Sequence, residues 1–152
     1  MKPLYLKLKG FKGVRSGSGK DELEIDFSGR TGLVAVAGPN GSGKTTVLDN
    51  LHPYRFMPYR AGSYSSRAFS FYNDCYGSDA SKELVFELNG RRYRSLLLID
   101  AERKKQEAYL YEEAESGWKA LSDGKTDTYD QTIEHLLGSP QLFFTSVFRC
   151  QD

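Results

Sequence analysis

Gly38-Pro39-Asn40-Gly41-Ser42-Gly43-Lys44-Thr45-Thr46 has the G-x-x-x-x-G-K-[ST] spacing of a phosphate-binding loop, and its setting fits one. The preceding Gly32-Leu33-Val34-Ala35-Val36-Ala37 reads as a short buried strand, and residues 45–51 read as the start of a helix. Glycine lets such a loop turn tightly, so that successive N–H groups point inward at a phosphate and the helix N-terminus adds a favourable dipole. In this arrangement the lysine, Lys44, reaches the β- and γ-phosphates, and the hydroxyl of Thr45 binds Mg²⁺. The stretch predicts a nucleoside-triphosphate site.

Working outward, 152 residues suffice for one domain with a real core and are too few for two ordinary ones. Hydrophobic residues at 39% and charged residues at 27% are globular values. A net charge of +1 gives no global sign of a nucleic-acid partner. No apolar run is long enough to span a membrane, and Met1-Lys2-Pro3 leads straight into a strand pattern without a signal peptide. Cys75 and Cys150 lie far apart and have no metal-ligand spacing. Free thiols in a reducing cytoplasm are expected. His52 and His135 are isolated and read as surface or packing residues.

Leu4-Tyr5-Leu6-Lys7-Leu8 and Leu23-Glu24-Ile25-Asp26-Phe27 alternate as half-buried strands do, with Ser16-Gly17-Ser18-Gly19 as a turn between them. These strands precede the all-apolar run 33–37, which suits a central strand and suggests an early antiparallel layer. Pro53 should end the helix after Lys44 near residues 50–52. A long loop is expected over 53–82. Its part 54–76 is dense in Tyr, Phe, Ser and Arg, with Arg55, Arg60 and Arg67 along it.

An antiparallel β section is expected over 83–121. Asn89-Gly90 between two β-type runs is a strong hairpin signal, Glu107 to Glu113 supplies a third strand, and Gly117-Trp118-Lys119 a turn or edge. Two helices are expected over 127–150. Thr128-x-x-Gln131 is a capping-box pattern stopped by Gly138, and Ser139-Pro140 opens a helix with Leu142, Phe143, Val147 and Phe148 on one face.

Lys7-Leu8-Lys9-Gly10-Phe11-Lys12, Glu24-Ile25-Asp26-Phe27, the phosphate loop with Leu48-Asp49, and Phe144-Thr145-Ser146-Val147-Phe148-Arg149-Cys150-Gln151 together resemble the amino-terminal part of SbcC-type ATPases. These are relatives of the structural-maintenance-of-chromosomes proteins and of the ATPases of double-strand-break repair nuclease complexes. The resemblance covers nearly all of the chain, though only the phosphate loop is highly specific. The long separation between Lys44 and Gln151 suits it.

The resemblance implies an α/β P-loop NTPase fold, the amino-terminal lobe of an ABC-type ATPase head, with an added antiparallel β layer. Residues 1–152 would form one half of that head. The implied ligands are ATP and Mg²⁺. Gln151 would sense the γ-phosphate and help hold Mg²⁺ and the attacking water beside Thr45, and Lys12 or Arg15 would approach the nucleotide. The implied partners are the carboxy-terminal half of the same head, a second head in an ATP-dependent homodimer, DNA, and an SbcD-type nuclease subunit. ATP binding would close two heads and hydrolysis would reopen them. Neither Ser-Gly-Gly nor an apolar run ending in Asp-Glu occurs after the loop, so this chain alone is expected to bind ATP weakly and to hydrolyse it poorly or not at all.

Other readings stay open. The 54–76 segment is either a DNA contact of arginines and aromatics or a lid packed on the sheet. Arg91, Arg92 and Arg94, with Arg103-Lys104-Lys105, form either a DNA-facing surface or a solvated edge. Trp118 is either an anchor for the small sheet or a base platform. A self-contained kinase or nucleotide-transfer enzyme would need its own Mg²⁺-binding acid, for which Asp100 is available. An ABC transporter ATPase would reach its glutamine sooner, and a nucleotide-binding module without turnover is the remaining possibility.

Overall fold

A computed structural model describes residues 1–32, 34–39, 41–55 and 71–146. Its centre is one six-stranded antiparallel sheet of order β2-β1-β3-β4-β5-β6. The strands are β1 (Lys2–Lys9), β2 (Glu22–Asp26), β3 (Ala80–Leu88), β4 (Arg91–Asp100), β5 (Lys105–Ala114) and β6 (Gly117–Ala120). β1 pairs with both β2 and β3, with Leu6 opposite Ile25 on one side and Leu84 on the other. The early layer and the middle β section, which alternation suggests as separate pieces, are therefore a single sheet.

Strict alternation gives the sheet one buried face. Leu4, Leu6 and Leu8 of β1, Leu84 and Phe86 of β3, Leu97 and Ile99 of β4, and Ala108 and Leu110 of β5 all lie on it. The β3–β4 connection is the Asn89-Gly90 turn, whose residues have φ of 53° and 77°. Two positive φ values match the right-handed twist of the flanking strands, which is why Asn-Gly is favoured there.

Among the described residues four helices supply the other side of the core: α1 (Lys12–Ser18), α2 (Lys44–Asp49), α3 (Thr126–Leu137) and α4 (Pro140–Ser146). Val14, Val47, Tyr129, Ile133, Phe143 and Phe144 join the sheet's buried face in one apolar cluster, together with Phe71. α2 ends at Asn50, as Pro53 requires. Ser139 caps α4, its Oγ accepting from the Leu142 amide at 3.3 Å.

Several expectations are corrected. Residues 16–18 are not a turn: they belong to α1, and only Gly19, at φ 72°, ends the helix. Residues 34–37 pair with no strand among the described residues, and Val34 is 40% exposed. An apolar run codes for a strand only where a neighbour offers matching N–H and C=O groups, and β2 forms the sheet's edge on that side. Leu33 lies outside the described residues.

The 53–82 loop is shorter than expected, since β3 begins at Ala80 and Phe71–Asn73 forms a 3-10 turn with Phe71 buried. Residues 56–70, with Arg60 and Arg67, lie outside the described residues. α3 starts at Thr126, so Thr128 is inside the helix and not its cap. Leu142 does not share the apolar face of α4 but is 60% exposed, while Val147 and Phe148 fall outside the described residues. Trp118 sits on the edge strand β6 at 42% exposure, where it buries too little to anchor the sheet.

Candidate phosphate-loop site

The loop leaves residues 34–39 and runs into α2. Gly41 and Gly43 turn it with φ of 79° and 92°, values that side-chain-bearing residues resist. The Ser42 amide closes a turn on the Pro39 carbonyl at 3.2 Å, and the Val47 amide reaches the Gly43 carbonyl at 3.1 Å, starting the α2 ladder. Gly38 permits close folding: a Cβ there would stand 2.7 Å from Ser42 Oγ. Lys44 bends back over this turn, and its Nζ donates to the Gly38 carbonyl at 2.5 Å. The ammonium is thus stored within the cradle by a single backbone oxygen. Thr45 is exposed in the first turn of α2. Asn40 and Gln151 lie outside the described residues.

Sequence reasoning missed the floor of this site. α1 lies against the loop with Gly13 and Gly17 turned toward it: a Cβ on Gly17 would stand 2.5 Å from Ser42 C, and one on Gly13 would stand 1.8 Å from Thr46 Oγ1. Their i, i+4 spacing puts both on one helix face. That spacing is visible in the sequence, but the density of Gly and Ser favours a turn. α1 is tied at its start. The Lys12 amide donates to Asp74 O and the Tyr76 amide to Gly10 O, both at 2.9 Å.

Lys12 and Arg15 are otherwise engaged. Lys12 Nζ donates to Asn73 O at 2.9 Å, and the Arg15 guanidinium lies 5.0 Å from the centre of the Tyr76 ring. Both residues are on α1, but neither side chain bonds the loop in this arrangement.

The end of α2 is fastened by residues 52–55. His52 is fully buried, accepts from the Tyr54 amide through Nδ1 at 3.1 Å, and meets the Phe144 ring edge-on at 4.9 Å. Burial first, and then the nearby Lys82 charge, hold its imidazole well below the ordinary histidine range. Tyr54 donates to Gly138 O at 2.6 Å. Arg55 grips the Asp130 carboxylate through two nitrogens. Tyr129 donates its hydroxyl to Pro53 O and meets Ser95 Oγ at 2.6 Å. The described ends of the Tyr/Arg-rich segment are therefore packed and paired.

The basic hairpin is balanced as well. Arg91 pairs with Glu112 at 2.8 Å, Arg92 with Glu113 at 3.9 Å and Arg94 with Glu83 at 3.1 Å. Asp100 accepts from the amides of Glu102 and Arg103 and pairs with the Arg103 guanidinium at 3.2 Å. These bonds, the Arg103 amide first, hold its carboxyl below the usual range and commit it to the β4–β5 turn. Among the described residues no group of three His, Cys, Asp or Glu could hold a metal, and no helix is long and apolar enough to cross a membrane. Cys75 is a buried free thiol, and Cys150 lies outside the described residues.

The AAA domain family model matches residues 5–152. The chain belongs to the AAA domain family. It is similar to the SbcC subunit of the nuclease SbcCD from Deinococcus radiodurans, with 30% identity over 99% of this chain and 15% of that protein. The DNA double-strand break repair Rad50 ATPase of Methanopyrus kandleri is 29% identical over 76% of this chain and 12% of its own length. The corresponding SbcC subunit from Clostridium acetobutylicum is 32% identical over 64% and 8% respectively. The chain thus spans a small part of each relative. Within the AAA domain family its likeness is to SbcC-type, SMC-like ATPases, in agreement with the motifs.

Proposed function

We propose that this chain is the nucleotide-binding half of an SbcC/SMC-like ATPase head acting in DNA repair or DNA end processing. The observation that carries the reading is Lys44, folded back onto Gly38 O inside a turn built from glycines with positive φ. A triphosphate would replace that one carbonyl with several charged oxygens, and the ammonium would swing only across its own loop. Backbone amides of this glycine-turned loop would hold the β- and γ-phosphates.

Thr45 would contribute its hydroxyl to Mg²⁺ and Gln151 its amide oxygen. The ion, when bound, would neutralise charge between the phosphates. Gln151 would orient the attacking water but is not a general base. A carboxylate from the complementary half would have to fill that role, together with the signature motif. The apolar run 34–37 supports this division, since it pairs with no strand among the described residues, and Val34 and Val36 line a cavity of about 220 Å³ with Phe27, Leu48 and Leu51 beside Lys2 and Arg30. Two such heads would sandwich ATP, closing on binding and opening on hydrolysis, to gate the access of a nuclease partner to DNA. Asp100 is spent on a turn, which weighs against the self-contained kinase.

Supplying the complementary half should give ATP-dependent head association and turnover. Gln151→Ala in that assembly should retain ATP affinity and lose turnover. Equal hydrolysis rates would remove Gln151 from the site.

A further inference from the structure

The phosphate loop does not rest on its own glycines alone. α1 approaches so closely that two of its positions have no room for a single carbon atom. At Gly17 a Cβ would lie 2.5 Å from Ser42 C, 2.6 Å from Gly43 N and 2.7 Å from Gly41 O. All three obstacles are backbone atoms of the loop apex, so no side-chain rotation relieves them. At Gly13 the obstacle is the Thr46 hydroxyl at 1.8 Å. Gly43 returns the contact, since a Cβ on it would meet Gly13 O at 3.3 Å.

α1 cannot simply retreat. Phe11, which precedes it, is buried, forms an isolated bridge with Cys75 and packs edge-on against Phe71 at 6.1 Å. Val14 faces the core. Residues 71–76 thus hold the start of the helix, and the loop lies against Gly13 and Gly17.

We propose that Gly17 and Gly13 are positioning residues for nucleotide binding: they set the path of the loop apex, and hence the direction of its amides, without touching the ligand. This rests on the reading of residues 38–46 as an ATP site. A Cβ at Gly17 pushes the 41–43 backbone away from α1 and turns amides out of the cradle. Such small displacements of preorganised donors are costly to binding. Gly19 is the internal control. It ends the same helix at φ 72° with nothing within 4 Å of an added Cβ, so Gly19→Ala strains α1 without entering the loop.

The test compares parent, Gly17→Ala and Gly19→Ala chains by amide NMR without ligand and by Mg-ATP calorimetry. In Gly17→Ala the amide signals of residues 41–46 should move and ATP affinity should fall about tenfold or more. Gly19→Ala should leave both in place while lowering thermal stability. A Gly17→Ala chain with unmoved loop amides overturns the proposal, as does one with moved amides and parental affinity. If the parent chain itself binds no ATP, the site reading fails first, and the nucleotide role of Gly17 falls with it.

Gly13→Ala provides a second route should Gly17→Ala unfold. Adding Thr46→Ala removes the obstructing hydroxyl, so the double variant should hold loop signals nearer the parent's than Gly13→Ala does. Additive effects in that cycle would contradict the contact.

Discussion

On the sheet's inner face Leu6, Leu84, Ser95 and Leu110 stand opposite one another on four neighbouring strands, all fully buried. At the corner of residues 34–48, Val34 and Leu48 are about two-fifths exposed, and Lys44, the lysine proposed to meet a triphosphate, is satisfied by one carbonyl of its own loop. Each inner strand of the sheet has two partners and buried residues on one face. The corner is organised by geometry in place of burial: glycines, a helix held at its start and a stored ammonium. Stability and the proposed ligand recognition thereby fall to different regions, and substitutions can test that division.

The largest effect is expected in the sheet. Phe86 is fully buried and stacks on Tyr93 at 5.4 Å, so Phe86→Ala should cost about 3–5 kcal/mol in chemical denaturation. A loss under 1 kcal/mol, or an ATP affinity that falls while stability holds, would break the division.

Next comes the tether between the two regions. Tyr129→Phe removes the hydroxyl shared by Ser95 and Pro53 O. It should cost about 1–3 kcal/mol, because both partners stay buried without it. Unchanged stability would mean that the strap after α2 is not held there.

A smaller effect of opposite sign is expected at Lys82. Its Nζ is buried 5.3 Å from the centre of the Phe71 ring, with no hydrogen-bond partner among the described residues. Burial holds this amine well below the ordinary lysine value of 10.5. Between its folded pKa and 10.5 the unfolded chain binds more protons, so stability rises with pH across that window. Below the folded pKa the amine is charged in both states and its burial is a full penalty. Lys82→Met should therefore stabilise the chain by about 1 kcal/mol at neutral pH and flatten the rise. Denaturation curves above the ordinary histidine value of 6.5 and below pH 9 isolate the effect, because buried His52, held below that value, gives a rise of the same sign at lower pH, and the buried Cys75 thiol, pushed up to about 12, opposes it at higher pH. A destabilised Lys82→Met would show that the amine has a partner in the folded chain.

The hairpin and the strands were legible because their signals are local. Asn89-Gly90 fits a turn with two positive φ values wherever it occurs, and alternation over 83–99 marks one buried face. α1 was not legible, since Gly13 and Gly17 are poor helix formers whose use emerges only against Thr46 and Ser42, far along the sequence. The run 34–37 shows the opposite failure: its apolar character is plain, but pairing depends on a neighbour that local pattern does not reveal. The basic hairpin looks like a nucleic-acid surface in sequence because its carboxylate partners stand on adjacent strands. The spacing of residues 38–46 marks a glycine-built turn before a helix, which the structure has, whereas the packing of α1 beneath it has no such local signal.

The central claim is that residues 38–46 bind a nucleoside triphosphate through Lys44. Mg-ATP calorimetry on the parent chain and on Lys44→Ala, with both checked for equal thermal stability, tests it most directly. The account predicts measurable binding by the parent, none by Lys44→Ala and no difference in folding. Equal affinity in the two chains would contradict it.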